Sequence, residues 1–381
     1  MRFTEDQLSL QQMAREFAEK ELMPRAAEMD IDGELPMDVY QKAVDMSLTC
    51  LDLPEEYGGA GLDMVTTCLI REEISRGDSG FSITIGSNSL GFKPVGIAGN
   101  EEQKQHFADI ITRGGFCAFA ITEPGSGSDA ASTATTAVKV GDEYIINGRK
   151  CFITNAERAD VYTVLATTDK TKGARGLSMF IVDRDTPGVS TGKHEDKMGI
   201  RVSNTADVIF EDVHIPAKNL IGQEGKGFKI AMQTLEKGRV ITGAAAVGIG
   251  RAALEYATKY AQVRKTMGQP ICEHGQIQAL IADTGIELEA ARQLVLAAAD
   301  AIDHNDPNKG KLSAMSKCFA AEVIERVCSH AIQILGGYGY MRDYPVEKLY
   351  RDARIYQIFE GTNQIQRLVI ARAMLKENPA D

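Results

Sequence analysis

The 381-residue chain contains no tryptophan, and its seven cysteines never form a C-x-x-C pair. Cys50, Cys68, Cys117, Cys151, Cys272, Cys318 and Cys328 are scattered, odd in number and mostly set among apolar residues, so reduced core thiols are expected rather than a disulfide framework. Six histidines show no H-E-x-x-H or comparable spacing, and no metal site is expected. Positive charge is in deficit: 42 basic against 53 acidic residues give −11 at pH 7. Such a chain is a poor general binder of nucleic acid or anionic lipid. No apolar run is long enough to cross a bilayer. The opening "MRFTEDQLSLQQMAREFAEKELMP" reads as an acidic amphipathic helix without signal or transit character. A cytoplasmic protein without nucleic-acid or membrane partners is the expectation. Nucleotide-fold signatures are missing too. No G-x-G-x-x-G stands between strand and helix, no G-x-x-x-x-G-K-[ST] occurs, and "EPGSGSDAA" lacks G-x-S-x-G spacing. A Rossmann NAD site, a P-loop and an acyl-hydrolase elbow therefore find no support.

What is present divides into three. Residues 1–115 carry a helical pattern, interrupted by the turn-rich "LPEEYGGAGLD" and "ISRGDSGFS". Asn100 suits an N-cap, and Gly114-Gly115 a stop, for the stretch between them. Residues 116–226 switch to short β-rich runs separated by Gly, Asn and Asp, which predicts a compact antiparallel β-domain, with the Asn-Gly of "INGRK" as a hairpin turn. Residues 227–381 return to helix, at about 227–263, 274–303, 308–336 and 362–376, lengths that suit a four-helix bundle. Strands confined to the middle argue against an alternating doubly wound sheet.

One carboxylate stands out in "ARIYQIFEGTNQIQRLVIARAML". Ile365, Leu368, Val369 and Leu375 share one helical face, and Thr362 suits the N-cap, which leaves Glu360 and Gly361 in the junction before the helix. A carboxyl beside Ile358 and Phe359 loses hydration, so its pKa and basicity should rise; an exposed glutamate suiting the helix dipole is the plainer reading of this window alone. "TEPGSGSD" offers hydroxyls and exposed N–H groups on a glycine-rich turn, able to wrap a phosphate or a polar ring edge or simply to flex. "QILGGYGY" permits close backbone approach at a helix end, and "VRKTMG" sets Arg264 at another.

In this order, "LPEEYGGAGLD", "ITEPGSGSDAAS", "YIINGRKCFITN", "RKTMGQPI", "QILGGYGY" and "YPVEKLYRDARIYQIFEGTNQIQRLVIAR" resemble the acyl-CoA dehydrogenase family over essentially the whole chain. "NSLGFKPVGIAGNEEQKQ" and "DEYIINGRK" look most like its short- and medium-chain branch. The resemblance implies an α+β fold of N-terminal helical domain, middle β-domain and C-terminal four-helix bundle. It further implies FAD, an acyl-CoA substrate, a homotetramer, and electrons passed to an electron-transferring flavoprotein.

Residue by residue, the resemblance makes Glu360 the catalytic base, removing the α-proton while a β-hydride goes to flavin N5 and a trans-2-enoyl-CoA forms. Thr122 would bond the flavin ring, with Phe119, Ile121 and Gly127 beside it, and Ser128 would touch both cofactor and the CoA part. Phe152, Ile153 and Thr154 would line the flavin, with Thr154 near N5. Arg264, Thr266, Gln333, Gly336 and Gly337 would hold the FAD of a neighbouring subunit; Thr362 and Gln364 would meet FAD again. Glu236, Arg239 and Gly361 would meet substrate. Some relatives draw their base from the position that is Gly238 here, and glycine closes that route. Phe152 stands where tryptophan is common, Phe119 and Phe359 where tyrosines are, and Gly275 where a cofactor-contacting glutamine is. The same motifs suit an enoyl-CoA reductase running the reaction backwards with a bifurcating flavoprotein partner. The small Ser82, Gly86 and Ser89 and the apolar Ile83, Ile85 and Leu90 suit a short- to medium-chain acyl tail. With no lysine or arginine in 81–90, dicarboxylic chains are expected to fit less well.

Overall fold

The computed structural model describes residues 2–379. Six helices come first: α1 (Glu5–Phe17), α2 (Ala26–Asp32), α3 (Met37–Asp45), α4 (Met64–Gly77), α5 (Ser79–Ala98) and α6 (Glu101–Thr112). Their starts follow capping chemistry. Thr4 and Asn100 make reciprocal capping boxes with Gln7 and Gln103, and Asp63 and Asp78 accept the amides of Thr66 and Phe81. Gly114, at φ +85°, turns the chain out of α6.

The strands β1 (Cys117–Ala120), β2 (Thr136–Val140), β3 (Glu143–Thr154), β4 (Val161–Thr167), β5 (Leu177–Asp183), β6 (Val189–Thr191), β7 (Thr205–Pro216) and β8 (Leu220–Ile221) form one sheet in the order β6-β7-β3-β2-β4-β5-β8, with β1 on β4. Pairing is antiparallel except at β1–β4 and β2–β4. β4 follows β3 in the chain but lies beside β2 and β1, which run in its own direction, so these two pairs depart from the all-antiparallel expectation. The hairpin expected at Asn147-Gly148 is not formed; the β2–β3 turn falls at Gly141-Asp142. Asn147 and Gly148 lie inside β3, at a register shift opposite β7. A Cβ on Gly148 would meet Thr135 Oγ1 at 2.4 Å, and the Asn147 amide exchanges hydrogen bonds with Asp212. The dipeptide serves close strand approach rather than chain reversal.

The remaining chain is α7 (Gly227–Val263), a small hairpin of β9 (Lys265–Thr266) and β10 (Gln269–Pro270), α8 (Gly275–Asp303), α9 (Lys309–Leu335), α10 (Val346–Arg354) and α11 (Asn363–Glu377). Four of these helices match the expected spans within a residue or two; α10 was not anticipated. α7, α8 and α9 bury a common core rich in alanine, to which α4 contributes Met64, Val65, Cys68 and Leu69. Small side chains allow these helices to approach closely. No described helix is long and apolar enough to cross a membrane, and no described cluster of His, Cys, Asp and Glu could hold a metal.

Candidate active site

Glu360 stands between a 3-10 turn, Ile355–Gln357, and α11. Glu360 and Gly361 have φ of +55° and +88°, two successive left-handed residues that reverse the chain and aim the carboxyl at α7. A non-glycine residue there is strained and persists only when its surroundings hold it. Here they do. Lys317 Nζ donates to the Gly361 carbonyl at 2.8 Å and to Asn363 Oδ1 at 3.1 Å. Gln366 Nε2 donates to the carbonyls of Gly361 and Glu360 at 2.9 and 3.3 Å, and Arg239 Nε reaches the Glu360 carbonyl at 3.5 Å. Thr362 Oγ1 accepts the Ile365 amide at 3.3 Å, the N-cap expected from sequence.

The carboxyl is not clamped. Its Oε2 is buried without a hydrogen-bond partner. A Cβ on Gly238 would lie 2.9 Å from that oxygen, so the glycine leaves the carboxyl its space. Burial raises the Glu360 pKa above the ordinary glutamate value, against the opposing pull of Arg239, Lys93 and Lys317. Lys317, wholly buried, is itself pushed down to about 8 by burial.

The glycine-rich loop between β1 and β2 is held from beneath. Glu123 and Ser126 exchange backbone hydrogen bonds at 3.0 Å. The Glu123 carboxylate accepts the Ala134 and Thr135 amides at 2.7 and 3.0 Å and pairs with Lys150 Nζ at 2.7 Å; Lys150 also donates to the Ile121 carbonyl. Above this staple Gly125, Gly127 and Ser128 are exposed, and a Cβ on either glycine would meet nothing within 4 Å. The Cys151 amide donates to the Thr122 carbonyl at 2.8 Å, bringing the loop against the end of β3. A bulge between Lys150 and Ile153 turns Phe152 outward, at φ +58° and 66% exposed, while Ile153 stays buried. Phe119 and Thr154 are half-buried.

α5 joins the two halves of the site. Ser87 Oγ and the Thr84 carbonyl bond the Thr154 carbonyl and Asn155 Nδ2 of the β-domain, and Lys93 contributes to the field at Glu360. Other expected residues lie apart. Arg264 caps α7 with its guanidinium 5.4 Å over the Tyr338 ring, beside exposed Gln333, Gly336 and Gly337. Thr266 meets His274 Nε2 at 3.1 Å. At 1.5 Å per residue this cluster is roughly 40 Å along α7 from Gly238. Glu236 is half-buried on α7 beside Gly310, and Gln364 is exposed on α11. Lys317, Gln366 and the Lys150–Glu123 staple went unremarked in the sequence. A lone lysine in the small-residue run "SAMSKCFAA" was the one available signal for Lys317.

An exposed phenyl ring, partly exposed hydroxyls at Thr122 and Thr154, and an open glycine loop suit a planar aromatic cofactor with a polar edge, so the residues present fit a flavin. Comparison with known proteins agrees. The chain matches "Acyl-CoA dehydrogenase, N-terminal domain" over residues 4–115, the "middle domain" over 118–213 and the "C-terminal domain" over 225–375. The chain belongs to the acyl-CoA dehydrogenase family. A probable acyl-CoA dehydrogenase of Bacillus subtilis (strain 168) is 46% identical across 98% of this chain and 99% of its own length. Butyryl-CoA dehydrogenase from Megasphaera elsdenii superposes with a TM-score of 0.96 at 41% identity, over 98% and 99% of the two chains. A chain solved in work on the electron transferring flavoprotein of Acidaminococcus fermentans and flavin-based electron bifurcation gives 0.96 at 46% identity, over 99% of each. Acyl-CoA dehydrogenases are oxidoreductases acting on the CH–CH bond of an acyl thioester, and the three-part fold is theirs.

Proposed function

We propose that this acyl-CoA dehydrogenase converts a short- to medium-chain acyl-CoA into the trans-2-enoyl-CoA, with Glu360 as base. The buried, unpartnered carboxyl over Gly238, on a turn clamped by Lys317 and Gln366, carries this reading. A base needs a free lone pair, a raised pKa and a fixed origin, and Glu360 combines all three. The Glu360 amide makes no hydrogen bond among the described residues and is available to the thioester oxygen, where enolate charge would develop.

FAD, when bound, supplies the acceptor for the β-hydride and its electron pair. Thr122, Ser128 and Phe152–Thr154 would hold the flavin, with Phe119, Ile121, Gly127, Thr362 and Gln364 around it. Arg264, Thr266, Gln333, Gly336 and Gly337 of a neighbouring copy in a homotetramer would hold the nucleotide end. Ser128, Glu236, Arg239 and Gly361 would meet the acyl-CoA. Glu360 takes the α-proton, the α-carbon's electron pair forms the double bond, and the hydride leaves from the β-carbon. An electron-transferring flavoprotein would take the electrons onward. The likeness to the Acidaminococcus fermentans chain supports a second reading, enoyl-CoA reduction with a bifurcating flavoprotein partner.

The test is flavin bleaching by acyl-CoAs without oxygen. Glu360→Gln should keep FAD and bind acyl-CoA, yet bleach slower by about two to four orders of magnitude. Bleaching at the wild-type rate would refute the assignment.

A further inference from the structure

The proposed chemistry leaves one buried cation unused. Arg71, on α4, is 2% exposed. Among the described residues its hydrogen bonding is confined to Nη1, which donates to the Ser82 carbonyl at 3.3 Å; Nε is buried without a partner. The carboxylate that acts on it, Asp52, is itself bound by Lys93 and by Ser89, the latter at 2.7 Å. Burying a guanidinium with so few partners is costly, and a methionine or leucine would fill the same space without that cost.

The guanidinium is aimed at α5. Its Cζ and Nη1 lie 3.8 Å, and its Nη2 4.0 Å, from the position of a Cβ on Gly86. Ile83, Gly86 and Leu90 are the partly exposed residues of this stretch, at i, i+3 and i+7, so they form one face of the helix. Lys93 follows one turn later and is among the charges acting on Glu360. One face of α5 therefore carries Gly86 against the Arg71 guanidinium and continues to Lys93. Asp52, the carboxylate that acts on Arg71, is already paired with Lys93.

We propose that Arg71 makes this face of α5 a site for a short acyl group ending in a carboxylate, the CoA monothioester of a dicarboxylic acid, rather than in a methyl group. This rests on the dehydrogenase reading above and names its substrate class. The segment 81–90 lacks a cation of its own, which pointed the other way in the sequence; the cation arrives from the neighbouring helix. The reaction is unchanged. The α-proton goes to Glu360, the β-hydride with its electron pair goes to FAD, a carbon–carbon double bond forms, and the distal carboxylate stays ionised against Arg71.

The experiment compares butyryl-, hexanoyl- and octanoyl-CoA with succinyl-, glutaryl- and adipyl-CoA on the FAD-loaded enzyme, scored by anaerobic flavin bleaching. The best dicarboxylic thioester should exceed the best straight-chain one in kcat/KM by roughly tenfold or more, since a site built to pair a polar group rejects the analogue lacking it. Arg71→Met should reverse that order, chiefly through KM, and Arg71→Lys should restore part of it. The wild-type ratio decides by itself if Arg71→Met does not fold. A straight-chain preference in the wild type overturns the substrate class and leaves the dehydrogenase reading intact. Failure of every thioester to bleach the flavin overturns both.

Discussion

At Glu360 two unfavourable features coincide: a positive φ and a buried, unpartnered carboxyl. The second has a consequence for stability. Burial raises the folded pKa above the ordinary value of 4.5. Between the unfolded and folded pKa values the native state binds the extra proton, so stability falls as pH rises through that window. The cost is complete above the folded pKa and vanishes below 4.5, where both states are protonated. Glutamine carries no such charge. Glu360→Gln should therefore melt above the wild type at neutral pH, and the difference should shrink as pH approaches 4.5. Scanning calorimetry of both FAD-loaded proteins checks this. A gap that is constant with pH, or that widens on acidification, would show that the carboxyl is not held in a desolvated place.

Among the elements, the loop from Ile121 to Ser128 depends on a side chain from β3. Lys150 is 0% exposed and its pKa is pushed down to about 8 by burial, against the pull of Glu123. Lys150→Met would strand the Glu123 carboxylate, and breaking a buried pair by removing one partner costs about 3–5 kcal/mol. A lower melting temperature with loss of FAD on gel filtration is expected; unchanged FAD retention would show that the loop holds its shape without the staple. Elements of this kind were only partly legible in the sequence. Capping residues announced the helix starts after Asn100 and Thr362, because a cap is a local contact. Asn147-Gly148 misled, because its conformation is set by Thr135, just before β2, and by Asp212 on β7. Glu360 was found from its neighbours and from the family likeness, whereas Lys317 acts on a segment distant in sequence and Arg71 on the helix after its own. Leu368 and Leu375, placed on one helical face with Ile365 and Val369, are 52% and 72% exposed, and the helix is anchored instead by buried Asn363 and Gln366. Periodicity shows which face is apolar and not what covers it.

On the scale of the whole molecule, the uncovered stripe of α11 has company. Val263, Met267 and Tyr340 are also exposed, near the cluster of Arg264, Gln333 and Gly337. That cluster and Glu360 lie roughly 40 Å apart along α7, too far for one dinucleotide to serve both in one chain. The proposed assembly would account for both facts: a neighbouring copy would cover the apolar surface and bring its Arg264 to the nucleotide end of FAD. In the proposed homotetramer the cofactor is thus part of the interface, and binding and association stabilise one another by mass action. Arg264→Ala removes the charge and its contact with the Tyr338 ring while leaving the core untouched. It should lower FAD content and the tetramer fraction together, and added FAD should recover both. Light scattering coupled to flavin absorbance measures the two in one run, and a variant that is monomeric yet fully loaded with FAD would show that one chain holds the cofactor alone.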